Sequence, residues 1–557
     1  MALAAVAALV LGACAADGPD KAWTSSPISG EQPGALATAD DPGTTAGDDP
    51  GDRVDRAEPG RPLDGDDGQD APEPPESRDA VRSMAQDLLD GLLSETDAGP
   101  DAFGVLVVDE HGREIVAHAP DAARIPASTL KIVTGAAALR TFGPNATFST
   151  WAEASGPIAE DGTLEGDLAV VGDGDPVLAT PEYGRFVYPA RPRTPLEDLA
   201  DGIVDTGVRH IDGDVLAVTD RFEGPRTATG WPDRYFSSFD ARHTDGLTVD
   251  AGLETIIVWP EPDDADVDDD ADGDAADDDA AQDDAADDDE ELDLDELDPF
   301  DPPEDLEPTA RVEHVEVPAH HLVDELVRLL DDRGVTVGGS TGLTDTRPQP
   351  VGRIAHVDSP PMSDLLAFTL QRSDNHLAEG LFTAVGRQRT GVGSFGSGNR
   401  ALRQSLDRWG IDHRSARFAD GSGLSREDRA SARLLVDVER AMYGSRHVGT
   451  WKRSMAITGE SGTLRNRLRG TIADGRFAGK TGTLRDTSGL VGTVEGSGGQ
   501  RYHLAVLAND AGEGRWLARS MTDELIQLLT ADLDGCSVSF SDGDPGALGQ
   551  PPLDLAC

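Results

Sequence analysis

The stretch Ile125-Pro126-Ala127-Ser128-Thr129-Leu130-Lys131, followed by the apolar run Ile132 to Leu139, constrains this chain more than any other. Proline suits the first turn of a helix, where its missing N–H costs nothing, and the Ala/Leu/Ile-rich residues behind it predict a helix entering a core. Residues three apart on such a helix share a face, so the Ser128 hydroxyl and the Lys131 amine meet. A hydroxyl becomes a nucleophile when a base takes its proton, and an amine serves as that base once burial keeps it neutral. Just upstream, Phe103 to Val108 and Glu114 to His118 read as two strands joined at Glu110-His111-Gly112. A hairpin running into this helix sets the serine at the edge of a sheet. Taken alone, Ser-x-x-Lys also fits an ordinary helix start.

Charge is distributed unevenly over the 557 residues, whose formal net charge is −58. Residues 261–306 hold 26 acidic and no basic side chains, and residues 15–80 hold 17 acidic and 5 basic ones. What remains is an ordinary acidic surface, which a phosphate backbone would repel, so nucleic acid is excluded as a partner. Both segments are too polar to offset chain entropy by burial, and are expected to be a disordered tether (15–78) and a disordered acidic loop. Asp268, Asp270, Asp272, Gly273 and Asp279 match the spacing of a calcium loop, but flanking apolar helices are missing and solvated charge is the better reading; no metal site is assigned.

The apolar leader Met1 to Ala13 is too short to span a bilayer and ends Leu11-Gly12-Ala13-Cys14, which resembles the lipobox of bacterial lipoproteins. No Lys or Arg precedes the run, a departure from that pattern. The resemblance implies a lipid on Cys14 and attachment to the outer face of the cell membrane. Cys536 and Cys557 are then left to pair with each other in an oxidising compartment, closing a Gly/Asp/Pro-rich tail (535–557) expected to have no core of its own.

Ser77 to Thr96 predicts an amphipathic helix. Between 147 and 351 short β-like runs dominate (Phe148–Trp151, Leu168–Val171, Val215–Val218, Thr255–Trp259), with a helix from Ala319 to Asp332 whose His320-His321 pair reads as surface. From Ile354 an α/β pattern resumes, carrying Ser373-Asp374-Asn375, then Asp420 to Arg426, then Lys480-Thr481-Gly482-Thr483, and closing on a helix from Trp516 to Leu529.

Ser-x-x-Lys, Ser-Asp-Asn and Lys-Thr-Gly, in that order, are the three boxes of active-site serine penicillin-interacting enzymes. With Gly172-Asp173-Gly174-Asp175-Pro176, Gly213-Asp214, Asp420 to Arg426 and Gly462-Thr463-Leu464 they resemble the class C low-molecular-mass penicillin-binding proteins, three-domain D-Ala-D-Ala carboxypeptidases and endopeptidases, over residues 80–533. The 245 residues between the first two boxes fit that resemblance, which implies two small β-rich domains (147–351) inserted into an α/β (α+β) serine β-lactamase/transpeptidase-like domain formed by 79–146 and 352–534. It further implies Ser128 as nucleophile and Lys131 as base, depressed by burial and by repulsion from Lys480. Ser373 would relay the proton, Asn375 would hold the substrate amide, and Lys480, Thr481, Gly482 and Thr483 would receive a terminal carboxylate. Arg426 would sit near the side chain of the third residue of a peptidoglycan stem peptide. No cofactor is called for, and β-lactams are the expected inhibitors.

Three rivals share some of these features. A class A β-lactamase needs a deacylating Glu-x-x-Leu-Asn motif that this sequence lacks, and an esterase of the same fold usually carries Tyr at the middle box. A wall-binding lipoprotein that no longer catalyses has no need of intact Ser128, Lys131, Ser373, Asn375 and Lys480.

Overall fold

The computed structural model describes residues 76–259, 308–541 and 553–557. The lipobox at Cys14, the tether up to residue 75 and the acidic run 261–306, including its calcium-like pattern, lie outside the described residues.

Both ends of the folded chain meet in one six-stranded antiparallel sheet. Its order is Ala456–Ile457, Phe477–Leu484, Thr487–Glu495, Arg501–Asn509, Phe103–Asp109, Glu114–His118. The strand Phe103–Asp109 is buried on both faces, and the period of two sends its side chains to different cores. Val105 and Val107 pack with Leu88, Leu92, Leu525 and Leu529 of the helices Glu76–Glu95 and Gly514–Leu533. Leu106 and Val108 instead join a second core with the helices Lys131–Phe142, Met362–Arg372, Asn375–Thr390 and Ala432–Tyr443. Burying nine consecutive residues of Lys131–Phe142, the predicted apolar run, makes it the central helix of that layer.

The region between the first two boxes forms a separate five-stranded mixed sheet, in the order Thr341–Thr344, Val215–Val218, Leu168–Gly172, Ser149–Ala154, Gly352–Asp358. Helices Leu196–Asp205 and Pro318–Asp331 cover one face of it with Leu199, Ile203, Leu322, Val323 and Leu326. A two-stranded hairpin, Leu253–Val258 against Thr309–His314, brackets the acidic run in sequence. His320, at the start of Pro318–Asp331, bonds Asp324 on the surface.

The tail departs from expectation. Ser537–Phe540 pairs with Leu553–Ala556, the Cys536–Cys557 disulfide closes the hairpin, and Val538, Phe540 and Leu553 pack against the core beside Gly514–Leu533. Alternation of small and large side chains in each short strand supplies an apolar face that overall composition conceals.

Candidate active site

Ser128 lies on a 3-10 turn, Ala127–Leu130, that leads straight into the α-helix Lys131–Phe142, rather than on the α-helix predicted. In a 3-10 turn residues i and i+3 eclipse, a tighter juxtaposition than an α-helical start gives. Lys131 Nζ accordingly donates to Ser128 Oγ at 2.9 Å. Ala127 enters the turn at φ 49°, in the left-handed region that residues with a Cβ seldom occupy. Two close approaches hold it there. A Cβ on Gly423 would stand 1.9 Å from the Ala127 carbonyl oxygen, and one on Gly482 would stand 2.9 Å from Pro126 O and Thr129 N. Only glycine lets the 420–426 loop and the Lys480 strand close on the nucleophile turn.

The middle box sits where one helix stops and the next begins. Met362–Arg372 ends at Ser373, with φ 62°, and Asp374 caps Asn375–Thr390 by accepting from Leu377 N at 2.8 Å. Asn375 Oδ1 accepts from Lys131 Nζ at 2.7 Å, while its Nδ2 donates to the Asp240 carbonyl at 3.1 Å. Lys480, from the strand Phe477–Leu484, donates to Ser373 Oγ at 2.9 Å and to Thr481 O at 2.7 Å. Thr481 Oγ1 donates to Thr463 Oγ1 at 2.9 Å. Gly482 is buried against the turn, and Thr483 is exposed at the strand's open end.

Five polar side chains thus converge from the three boxes, and both lysines are fully buried. Burial draws the Lys131 amine down to about 8, against the opposing pull of Glu379, Asp420, Asp374 and Asp240. Burial, then the charge of Lys131, holds Lys480 well below the ordinary lysine range. Desolvation therefore outweighs the repulsion expected to depress Lys131, and the repulsion bears on Lys480. Lys131 Nζ has a third acceptor, Ser422 O at 2.9 Å. A neutral amine keeps two N–H donors and one lone pair. If Asn375 Oδ1 and Ser422 O take the two donors, the lone pair faces Ser128 Oγ, as proton abstraction requires.

Arg426 stands apart from this cluster. Its guanidinium forms a two-pronged pair with Asp486, both contacts at 2.6 Å. It borders a cavity of about 700 Å³ that Arg234, Arg485, Arg515 and Trp516 also line.

Several contributors carried no assigned role in the sequence. Asp240 and Ser422 act through backbone carbonyls, which no residue type advertises. Arg191, from the inserted region, lies 3.5 Å from Asp374. Thr463 belongs to the Gly462-Thr463-Leu464 motif, the signal that could have placed it.

The sequence pattern of the D-Ala-D-Ala carboxypeptidase 3 (S13) family matches residues 85–531. The chain belongs to that family. It is 30% identical over 439 residues to a D-alanyl-D-alanine carboxypeptidase of Actinomadura sp., covering 74% of this chain and 78% of that one. To a carboxypeptidase of Mycobacterium tuberculosis it is 27% identical over 411 residues, covering 72% of this chain and 74% of the relative. Among solved structures, penicillin binding protein 4 of Haemophilus influenzae superposes with a TM-score of 0.61 at 20% identity, over 80% of this chain and 99% of that one. The fold of this family member is that of the serine β-lactamase/transpeptidase class, and the protein is a serine-type D-Ala-D-Ala carboxypeptidase.

Proposed function

We propose that this enzyme works outside the cytoplasm on peptidoglycan stem peptides, through an acyl-enzyme on Ser128. The observation that carries the reading is Lys131 Nζ held at once by Ser128 Oγ, Asn375 Oδ1 and Ser422 O, with the Lys480–Ser373 pair beside it. Ser128 Oγ attacks the carbonyl carbon of the penultimate D-alanine as its proton passes to Lys131. Backbone N–H groups of Ser128 and Thr483 receive the charge that develops on the carbonyl oxygen. The C–N bond then breaks, and Ser373, replenished from the lysines, protonates the departing amine. Water, giving its proton to Lys131, attacks the ester and restores Ser128.

Asn375, fixed by Lys131 on one side and the Asp240 carbonyl on the other, aligns the substrate amide. Lys480, Thr481 and Thr483 receive the terminal carboxylate. The cavity beside Arg426, lined by Arg234, Arg485 and Arg515 together with Asp486 and Glu513, would receive the side chain of the third stem residue. Diacylglyceryl modification of Cys14 would anchor the enzyme to the outer face of the membrane. None of the described helices is long and apolar enough to cross a membrane.

Fluorescent penicillin, a diacyl-Lys-D-Ala-D-Ala tripeptide and a simple ester form the test. A stable penicillin adduct with release of D-alanine supports the reading. Fast penicillin turnover, action on the ester alone, or no activity at all would replace it with a β-lactamase, an esterase or a binding protein respectively. Digestion of purified sacculi, read by mass spectrometry, divides carboxypeptidase from endopeptidase action. Radiolabelled palmitate, incorporated by the natural chain and lost on Cys14→Ala, tests the anchor.

A further inference from the structure

Behind Lys131 the helix Asn375–Thr390 presents a fully buried carboxylate, Glu379, that belongs to none of the three boxes. Its two oxygens accept from the backbone N–H groups of Gly421, at 2.7 Å, and Ser422, at 3.0 Å. The carbonyls of those same residues turn toward the nucleophile helix. Gly421 O accepts from Thr134 Oγ1 at 2.7 Å, and Ser422 O accepts from Lys131 Nζ at 2.9 Å. One turn of chain is thus clasped between a carboxylate on one helix and the side chains of Lys131 and Thr134 on another.

Four carboxylates act on Lys131, those of Glu379, Asp420, Asp374 and Asp240, and Lys131 in turn acts on Lys480; all but Glu379 are committed elsewhere. Asp420 accepts from Gly423 N, Ser425 N and Trp231 Nε1, each at 2.7 Å, to hold its own loop. Asp374 pairs with Arg191, the Asp240 carboxylate accepts from Ser238 Oγ at 2.7 Å, and Lys480 bonds Ser373. Asp428, beyond Asp420, accepts from Ala419 N at 2.6 Å. Glu379 is the carboxylate joined to the lysine through a single residue, Ser422.

We propose that Glu379 is a positioning residue for Lys131: it aims the Ser422 carbonyl at Nζ and sets a negative charge directly behind that carbonyl, which governs how readily the ammonium gives up its proton. The inference rests on the reading of Lys131 as the base. Burial and Asp420 raise the Glu379 carboxyl into the range in which Lys131 titrates, so the two form a coupled pair in which the ammonium on Lys131 favours the carboxylate on Glu379 and the carboxylate favours the ammonium. A carboxylate on a dry site needs strong donors, and two N–H groups of one turn supply them. Removing it both frees that turn and strips the lysine of a compensating charge.

The test is the rate of acylation of the full-length enzyme by fluorescent penicillin, followed against pH. In Glu379→Gln the acid limb, set by Lys131, should move down by about one pH unit or more, because the ammonium loses a nearby carboxylate. The plateau should fall about tenfold or more as the carbonyl swings off Nζ. Glu379→Asp keeps the charge at shorter reach, so its limb should stay near the natural position while the plateau drops. An acid limb unmoved in Glu379→Gln overturns the proposal, whatever the plateau, since loss of fold alone lowers amplitude without shifting a titration. A limb displaced as far in Glu379→Asp overturns it too. Should Glu379→Gln not fold, Thr134→Val removes the other anchor of the turn and keeps the charge: a lowered plateau on an unshifted limb supports the proposal, and an unchanged plateau refutes it. Lys131→Arg separates the two levels. If that variant acylates, the base assignment itself falls; if it does not and the Glu379→Gln limb stays put, only the role of Glu379 is lost.

Discussion

Arg191 and Asp374 form a buried ion pair, 3.5 Å apart with side chains 3% and 7% exposed, that ties the inserted region to the middle active-site box. Arg191 also donates to Pro176 O and Tyr183 Oη, both at 3.2 Å, so its position is fixed from the inserted side. Asp374 is held from the other side as the cap of Asn375–Thr390. The attraction of Arg191 and Arg242 keeps the Asp374 carboxyl below its ordinary value although burial, the largest influence, pushes the other way. The residue between Ser373 and Asn375 is therefore a structural tie.

Arg191→Met should leave Asp374 buried without its partner and cost about 3–5 kcal/mol of unfolding free energy. Denaturant unfolding of the two proteins measures it. A change under about 1 kcal/mol would mean that water or Arg242 replaces the pair.

Lys131→Arg keeps the charge but removes the base, because guanidinium does not deprotonate in this range. Penicillin labelling should disappear while the unfolding transition persists. Labelling at an undiminished rate would assign the base elsewhere.

How much of this was legible in the sequence depends on which atoms act. The roles proposed for Ser128, Lys131, Ser373, Asn375 and Lys480 belong to side chains in short motifs, and the structure brings all five together. Asp240 and Ser422 act through carbonyls that every residue possesses, so type and spacing say nothing of them. Arg191 meets Asp374 only after the inserted region has folded back. The 3-10 turn at Ser128 depends on Gly423 and Gly482 pressing on it from elsewhere in the chain. The tail hairpin is masked by a Gly/Asp/Pro-rich composition, and only the alternation of Val538 and Phe540 with serines marks its apolar face.

A second buried carboxyl makes stability depend on pH. Glu439 accepts from Trp451 Nε1 at 3.0 Å and Thr493 Oγ1 at 2.9 Å, joining the helix Ala432–Tyr443 to the sheet. Burial pushes it up to about 7 from an ordinary 4.5. A raised folded-state value contributes stability that is fully present below the unfolded value and lost as pH rises through the folded one. The loss therefore falls between about 4.5 and 7, on the order of 3 kcal/mol in all. Glu439→Gln does not titrate, so its stability relative to the natural protein should climb across that window and level off above it. A difference that stays flat with pH contradicts this.

Cys557→Ser should open the tail hairpin to proteases and lower its local stability by about 3 kcal/mol on the chain-entropy view. Penicillin acylation should be unchanged, since Val538, Phe540 and Leu553 pack beside Gly514–Leu533 in a core that holds none of Ser128, Lys131, Ser373, Asn375 and Lys480. Limited proteolysis with and without reductant reads the first effect; a fall in acylation rate would show that the tail supports the active site.

The most direct test of the whole account is the mass of the peptide that carries penicillin after denaturation and digestion. The adduct should lie on the peptide containing Ser128 and vanish in Ser128→Ala, with the variant still folded. An adduct on any other residue, or one that survives in Ser128→Ala, contradicts the account.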